Sequence, residues 1–186
     1  MKRLEVAATA IAGLMVVTRM RLGDDRGSLT RLFCAEELQA AGWRQPVSQI
    51  NHTMTVAAGT IRGMHYQSPP WSDAKLVSCL HGSVWDVAID LRADSPTFLQ
   101  WHAEELSESN QRSLLIPSGF AHGYQTLSAD CELIYLHSEA HHPEAEAGLN
   151  AADPKLSIPW PLEAFRRSDR DLRLPMLDDN FTGLRP

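Results

Sequence analysis

Short strand-like segments separated by turns dominate this sequence and limit the folds open to it. Residues 83–92 show the pattern most clearly, because large apolar residues from Trp85 to Leu91 alternate with small or acidic ones. A period of two is typical of a β-strand, and turn residues bound the segment on both sides. Similar segments recur about every eight to twelve residues, whereas residues 35–41 alone have the composition of a helix. The spacing predicts an all-β sandwich or barrel.

Size and charge narrow the classes of function. The chain has 186 residues, 44% of them hydrophobic, and no linker or repeat divides it, so we expect a single domain over residues 1–186. The net charge of −6 argues against nucleic acid as a partner. No run approaches the ~20 apolar residues of a membrane span, so no membrane partner is expected. An anionic ligand would need a local cluster of basic residues.

The cysteines and the first residues bear on the compartment. Cys34, Cys79 and Cys131 are odd in number, far apart and without metal-binding spacing, which favours a reducing compartment. Residues 4–17 are mildly apolar, but Glu5 interrupts them, and residues 14–20 are typical of a strand entering the fold. We therefore expect a cytoplasmic protein rather than an exported one.

Chemistry-bearing residues concentrate in residues 59–67 and in Lys75, which follows them. Arg62 could bind an anion, His65 could act as a general base, and Lys75 could lie beside developing negative charge. An edge strand with a solvated arginine and a hydrogen-bonded histidine fits the same residues. This stretch alone does not separate the two interpretations.

Motifs spread over most of the chain resemble those of one known family, and their order and spacing carry the resemblance. The main motifs are Asp25-Arg26-Gly27, Gln49-Ile50-Asn51, residues 59–67, Lys75-Leu76-Val77, residues 82–87, residues 90–97, residues 116–123, Tyr135, residues 158–161 and residues 168–171. In these motifs the chain resembles the dTDP-4-dehydrorhamnose 3,5-epimerase family, the RmlC-like cupins.

The resemblance implies a fold, an assembly and a reaction. The fold would be a cupin jelly-roll barrel with short flanking helices and a C-terminal tail, about residues 160–186, that wraps the barrel. The assembly would be a homodimer that exchanges N-terminal strands. The substrate would be a nucleotide-linked 4-keto-6-deoxy-hexose, with dTDP as the expected nucleotide, epimerised at C3, C5 or both through an enolate. Neither a metal nor another cofactor would take part.

The resemblance assigns four catalytic roles that suit the residue types. A 4-keto group makes the protons at C3 and C5 acidic, because the carbanion delocalises onto O4. His65 would abstract the proton, and Asp171 would orient and charge this imidazole. Lys75 would offset the enolate charge, and Tyr135 would return a proton on the opposite face of the sugar.

Further residues would bind substrate. Arg26 and Arg62 would hold the diphosphate, since the forked guanidinium suits phosphate oxygens. Gln49 and Asn51 would hydrogen-bond to sugar or phosphate, and His122 would contact the sugar or the nucleotide. Gln49 and Asn51 belong to a strand whose polar residues alternate, which is typical of solvated surface or, in a barrel, of a cavity wall.

The part of the site that would bind the nucleobase departs from the family pattern. Ala140 stands where family members often carry an aromatic residue that stacks on the base, and His141 follows it. A family glutamate near Pro143 corresponds to Glu144 or Glu146, and we take Glu146 as the substrate-binding candidate. A C3- or C5-only epimerase of a CDP- or GDP-linked 4-keto sugar is therefore an alternative.

Each candidate also has an ordinary structural interpretation. Taken singly, Asp171 fits a surface charge, Tyr135 a core tyrosine and Lys75 a solvated lysine. Their joint match to one mechanism favours the functional interpretation.

Three further functions compete on the same scaffold. A metal-dependent cupin enzyme would carry a second histidine close to His65, but Tyr66 and Gln67 follow it. A 3,4-ketoisomerase would move the carbonyl instead of inverting a centre. A nucleotide-sugar binding protein would not need His65 or Tyr135.

Overall fold

Residues 2–164 and 166–186 are described by a computed structural model. The strands within these ranges are β1 Leu4–Ala8, β2 Met15–Arg19, β3 Arg21–Asp24, β4 Gly27–Thr30, β5 Gln49–Thr55, β6 Ile61–Gln67, β7 Lys75–His81, β8 Ser83–Asp90, β9 Trp101–Ser107, β10 Arg112–Ile116, β11 Phe120–Thr126, β12 Cys131–His137 and β13 Glu146–Gly148. The helices are α1 Ala35–Gln39 and α2 Asp169–Leu172. No helix in these ranges is both long and apolar enough to cross a membrane.

Antiparallel pairing arranges the strands in two large sheets and one hairpin. The six-stranded sheet has the order β1-β2-β10-β7-β12-β5, and the five-stranded sheet has the order β13-β6-β11-β8-β9. β3 and β4 form a separate two-stranded hairpin. The all-β architecture with short helices that the sequence predicts is confirmed.

The two large sheets face each other over a common core. Val77 and Leu133 of the six-stranded sheet pack in one buried cluster with Ala88 and Tyr124 of the five-stranded sheet. Burial of such side chains contributes about 25 cal/mol per Å2 of apolar surface, so this layer stabilises the barrel. The strands that form it also form the walls of the site.

Both sheets are covered on their outer faces as well. Leu38 of α1 and Trp43 pack with Leu76 on the outside of the six-stranded sheet. Leu177 and Leu184 of the C-terminal tail belong to a cluster on the outside of the five-stranded sheet. The tail lies against the barrel, and this brings its polar residues to the edge of the five-stranded sheet.

One strand begins later than the alternation predicts. The composition of residues 97–106, which follow a turn, predicts a strand over this whole range, but β9 begins at Trp101. The buried Asp90 carboxylate accepts hydrogen bonds from the hydroxyls of Ser95 and Thr97, and Leu99 has a φ of 61°. These contacts form a compact turn before the strand, and they depend on a residue outside the segment.

Candidate active site

A cavity of about 620 Å3 opens between the sheets and the C-terminal tail. This volume lies within the usual range for small-molecule sites, roughly 300–1,000 Å3. Nine of the ten residues predicted from the sequence line it: Gln49, Asn51, Arg62, His65, Lys75, His122, Tyr135, Glu146 and Asp171. Strand alternation is the reason that most of them reach the same space.

Alternation is clearest on β5. Gln49, Asn51 and Thr53 line the cavity, whereas Ile50 and Met54 point away from it and are more than half exposed. The polar face that the sequence placed on this strand is therefore a cavity wall rather than a solvated surface. Gln49 Nε2 donates to Asn51 Oδ1 over 3.1 Å, which aligns the two amides along the wall.

His65 and Asp171 form a carboxylate–imidazole pair. His65 Nε2 lies 2.8 Å from Asp171 Oδ1, and Asp171 is buried at the start of α2. The Ser168 hydroxyl accepts a hydrogen bond from Asp171 N and caps this short helix. Because a carboxylate can only accept, the ring carries its proton on Nε2 and keeps the Nδ1 lone pair for a substrate proton.

The Asp171 carboxyl is held in its ionised form. Burial by itself raises its pKa, but the hydrogen bond and charge of His65, the Gly63 N–H and the Ser168 hydroxyl outweigh burial and lower the pKa below its usual range. An ionised partner favours the imidazolium that forms when His65 accepts a proton.

Close approach of two glycines sets the spacing of β6 and β11. Gly63 has a φ of 130°, and a Cβ there would lie 2.5 Å from Gly123 Cα. The contact allows the strands to meet backbone to backbone, with His65 and His122 as register partners. A bulge between residues 122 and 124 accompanies it. The glycine in the sequence motif is therefore a packing requirement.

Tyr135 stands on the sheet opposite His65. It lies on β12 of the six-stranded sheet, whereas His65 lies on β6 of the five-stranded sheet, and both side chains line the cavity. Burial, together with the neighbouring Tyr124, raises the Tyr135 pKa well above its usual value. The phenol therefore stays protonated and can act as a donor.

A second carboxylate–imidazole pair lies deeper in the barrel. His122 Nε2 is 2.9 Å from Asp86 Oδ2, and the Asp86 side chain is completely buried. Burial raises the Asp86 pKa, against the opposing effects of His122 and Lys75. Asp86 Oδ1 has no hydrogen-bond partner among the described residues. The pair orients the His122 ring toward Tyr135, whose centroid lies 6.0 Å away.

Basic side chains gather around the cavity despite the negative net charge. Arg62 donates through Nε to Thr55 Oγ1 over 3.1 Å, and its terminal nitrogens have no further partner among residues 2–164 and 166–186. Arg166, Arg167 and Arg170 of the tail also line the cavity. Such a cluster suits a ligand with several negative charges.

The cavity also discriminates between the two candidate glutamates. Glu146 lines it and forms ion pairs with Arg170 and, at 3.9 Å, with His141 Nε2. Glu144 is exposed and contacts His142 instead. His142 stacks on Trp71 with ring centroids 3.8 Å apart, so the two adjacent histidines point in different directions.

Arg26 is the one predicted residue that its own chain does not bring to the cavity. It lies in the turn of the β3–β4 hairpin, is 85% exposed and pairs with Asp24 at 2.5 Å. The hairpin is a sheet of its own, separate from the strands that line the site. Within a single chain Arg26 therefore lies apart from the other nine residues, and its assignment to the diphosphate stays a prediction.

Several residues that line the cavity are not among those predicted from the sequence. Asp73, His137, Arg166 and Arg167 line it. His137 could have been found, because it follows Tyr135 by two positions on the same face of β12. Asp73 lies in a loop, where no periodicity predicts the direction of a side chain.

The described ranges contain no group of three or more His, Cys, Asp or Glu side chains placed to hold a metal ion. His65 and His122 instead each hydrogen-bond to a carboxylate of their own.

Comparison with known proteins gives a consistent result. The sequence profile of the family described as dTDP-4-dehydrorhamnose 3,5-epimerase matches residues 8–179. A relative of that name from Shigella flexneri is 36% identical over 170 residues, which cover 91% of this chain and 93% of the relative.

Solved structures agree. The dTDP-6-deoxy-D-glucose-3,5-epimerase RmlC from Legionella pneumophila Philadelphia 1, in complex with dTDP-4-keto-L-rhamnose, has a TM-score of 0.91 and 37% identity, with 98% of both chains covered. The dTDP-4-dehydrorhamnose 3,5-epimerase from Bacillus anthracis str. Ames, with TDP and PPi bound, has a TM-score of 0.90 and 37% identity, with 94% of this chain and 99% of that chain covered. The chain therefore belongs to the dTDP-4-dehydrorhamnose 3,5-epimerase family.

Proposed function

We propose that the protein epimerises a dTDP-linked 4-keto-6-deoxy-hexose at C3 and C5 by proton abstraction and reprotonation. Family membership makes the chain a carbohydrate epimerase. The observation that carries the residue assignment is that the His65–Asp171 pair and Tyr135 line one cavity from opposite sheets. A base and an acid on opposite faces of a sugar are what inversion at carbon requires.

Proton abstraction is assigned to His65. Its Nδ1 takes the proton from the carbon next to the ketone, and the C–H electron pair moves into the enolate. Asp171 accepts the Nε2–H and stabilises the resulting imidazolium. A pair of this kind contributes typically 10²–10⁴-fold to such a step.

The enolate charge is assigned to Lys75. Its side chain is 11% exposed and lines the cavity between the two sheets. A cation in a partly dry site stabilises a developing oxyanion more strongly than it would in water. Lys75 would therefore lie beside O4 of the bound sugar.

Reprotonation is assigned to Tyr135. The phenol donates its proton to the carbanion carbon from the face opposite His65, the C–H bond forms, and the configuration is inverted. Its raised pKa keeps the proton in place until the carbanion forms. The phenolate then regains a proton from solvent, and the His65 imidazolium releases one.

Binding of the diphosphate is assigned to Arg62, with Gln49 and Asn51 as hydrogen-bonding groups on the facing sheet. His122 and Glu146 complete the candidate binding residues. The arginines of the tail add positive charge near them. The two solved relatives hold a dTDP-sugar and TDP, which supports dTDP as the nucleotide.

The identity of the nucleotide can be tested directly. Calorimetric titration with free dTDP, CDP and GDP measures the preference of the binding site. We expect dTDP to bind most tightly, and tighter binding of CDP or GDP would favour the alternative substrates.

We infer that the active enzyme is a homodimer in which Arg26 reaches the partner's cavity. β1 and β2 pair within the sheet of their own chain, which leaves the β3–β4 hairpin as the exchanged element. Leu22 and Leu29 of this hairpin are exposed, as are Ile50 and Met54 on the outer face of β5. Apolar surfaces of this kind mark protein contacts.

We also infer a cytoplasmic location. Cys34, Cys79 and Cys131 all carry free thiols, as is common in a reducing compartment.

Proton NMR of the enzyme with dTDP-4-keto-6-deoxyglucose in D2O tests the reaction. Deuterium entering at both C3 and C5, together with formation of the epimer, is the expected result. Exchange at one carbon would identify a mono-epimerase instead. Absence of exchange at both carbons would overturn the proposal and favour a binding protein. The His65→Ala variant, which should show no exchange, is the negative control.

A further inference from the structure

We propose that Asp73 and His137 act together as positioning residues for Lys75. Asp73 Oδ2 lies 2.8 Å from His137 Nδ1, and Asp73 Oδ1 lies 3.7 Å from Lys75 Nζ. One carboxylate therefore contacts an imidazole with one oxygen and an ammonium with the other. The catalytic consequence rests on the proposed function, since Lys75 is there assigned to the enolate.

The three residues meet inside the cavity wall. Lys75 is the first residue of β7, His137 is the last residue of β12, and the two are register partners. Asp73 lies two positions before Lys75. The side chain of Asp73 is 4% exposed, that of Lys75 is 11% exposed and that of His137 is 15% exposed. Solvent and salt therefore screen these charges less than they would at the surface.

Two hydrogen bonds between Ala74 and Ser138 already join the ends of β7 and β12 without the Asp73 carboxylate. Ala74 N donates to Ser138 Oγ over 2.8 Å, and Ser138 N donates to Ala74 O over 3.0 Å. Asp73 is therefore not needed to close this corner of the sheet. Buried carboxylates are usually paired with a cation. Since Asp73 is not required to hold the two strand ends together, we assign it to the neighbouring Lys75 ammonium.

The geometry leaves Lys75 free to reach a substrate. At 3.7 Å the Asp73 carboxylate attracts the ammonium without forming a short hydrogen bond. Elsewhere in the described ranges, Lys75 Nζ has no hydrogen-bond or ion-pair partner. All three N–H donors can therefore turn to an oxyanion while the carboxylate holds the ammonium close by.

His137 fixes the direction of the carboxylate. Its Nδ1–H donates to Asp73 Oδ2, while its Nε2 lies 3.5 Å from Asn51 Nδ2. Burial alone would raise the Asp73 pKa, but the Lys75 charge and the His137 hydrogen bond lower it, which agrees with an ionised bridge. The two ring nitrogens thus have separable tasks, one toward Asp73 and one toward the cavity.

Because the two ring nitrogens of His137 make separate contacts, substitutions can test the role of each nitrogen. An asparagine side chain can place an N–H where Nδ1 lies, whereas a glutamine side chain reaches the position of Nε2. We compare His137→Asn, His137→Gln, His137→Leu and Asp73→Asn for deuterium exchange into the 4-keto sugar and for affinity toward dTDP, which has no ketone.

The positioning role predicts a loss in rate without a loss in binding. His137→Leu and Asp73→Asn should slow exchange on the order of 10-fold, the scale for removing a supporting hydrogen-bond partner. The Kd for dTDP should stay within about twofold. His137→Asn should restore the rate. Restoration by His137→Gln alone, restoration by neither variant, or an equal loss of dTDP affinity would overturn the proposal.

A second measurement does not depend on activity. The chain has three lysines, Lys2, Lys75 and Lys155, so acetic anhydride labelling can be read for each by peptide mass spectrometry. In Asp73→Asn, labelling of Lys75 relative to exposed Lys2 should rise, because the carboxylate that holds the Lys75 side chain in the cavity wall is lost. An unchanged ratio overturns the positioning role. Absent exchange in the unmodified enzyme would overturn only the proposed function.

Discussion

His65 Nε2 lies 2.8 Å from Asp171 Oδ1, although the two residues are 106 positions apart in the sequence. The contact joins the second strand of the five-stranded sheet to a short helix of the C-terminal tail. It fixes the proton of the ring on one nitrogen and leaves the other for the substrate. The proposed base is thus assembled from two parts of the chain that share no local sequence pattern.

Asp171→Asn should slow deuterium exchange by about 10²–10⁴-fold, because the neutral amide neither charges the imidazole nor fixes its tautomer. NMR exchange rates at saturating substrate provide the measurement. Asp169→Asn, an exposed change on the same helix, is the matched control and should leave the rate unaltered. Equal rates in the two variants would remove Asp171 from the mechanism.

Tyr135→Phe should slow formation of the epimer more than deuterium exchange on the His65 face. Removal of a proton does not require the donor, whereas inversion does. The two rates can be followed in one NMR time course in D2O. His65→Ala should abolish both. Epimer formation at the normal rate in Tyr135→Phe would show that the donor is another group.

The dimer proposal can be tested with two deficient variants. Arg26→Ala and His65→Ala chains are co-expressed with different tags, and the mixed dimer is purified through both. If Arg26 serves the partner's cavity, one of the two sites is intact, and activity should be about half that of the wild type. If Arg26 serves its own cavity, the mixed dimer should be no more active than the Arg26→Ala homodimer.

Asp90 provides a prediction about stability and pH. Burial raises its pKa, but Arg92, Ser95 and Thr97 outweigh burial and lower the pKa below 3.8. The ionised Asp90 carboxylate therefore makes its full contribution to stability above pH 3.8, the ordinary pKa of the group. The contribution is lost as the pH falls below 3.8 and passes through the lower pKa of the folded protein.

Asp90→Asn should lower the free energy of unfolding by about 3 kcal/mol at neutral pH, because it leaves the Arg92 charge without its buried partner. It should also weaken the loss of stability at acidic pH. Denaturant titrations at about pH 7 and about pH 3 measure both effects. Asp94→Asn breaks an exposed ion pair with Arg185 and should change stability by about 1 kcal/mol at most. Equal effects of the two changes would contradict the prediction.

Much of the architecture was predictable, because strand alternation is a local property. The alternation over residues 83–92 predicts a strand, and β8 covers residues 83–90 of that range. The alternating residues 131–137 likewise form β12. The β5 face lined by Gln49 and Asn51 also followed from alternation, once a barrel was expected. The late start of β9 was not predictable, since it depends on hydrogen bonds to Asp90, which lies on another strand.

The same distinction between local patterns and long-range contacts applies to the residues of the candidate site. The resemblance supplied Asp171, which by itself looked like a surface charge, because burial of a tail residue depends on where the tail packs. It also supplied Arg26, which the hairpin keeps outside the cavity of its own chain and whose role in binding the diphosphate stays a prediction. The contact of Asp73 with Lys75 and His137 was missed, since it brings together a loop and the ends of two strands.

The position of Asp171 in the tail has a consequence for synthesis of the protein. A nascent chain that has completed β13 already contains β1 to β13, the strands of the described ranges, yet Asp171, the proposed partner of His65, has still to be synthesised. Because domains emerge from the ribosome from the N-terminus onward, catalytic competence is acquired last. Messages interrupted before the codon for residue 171 would therefore yield products that have the strands of the cavity but lack the carboxylate that the proposed base requires.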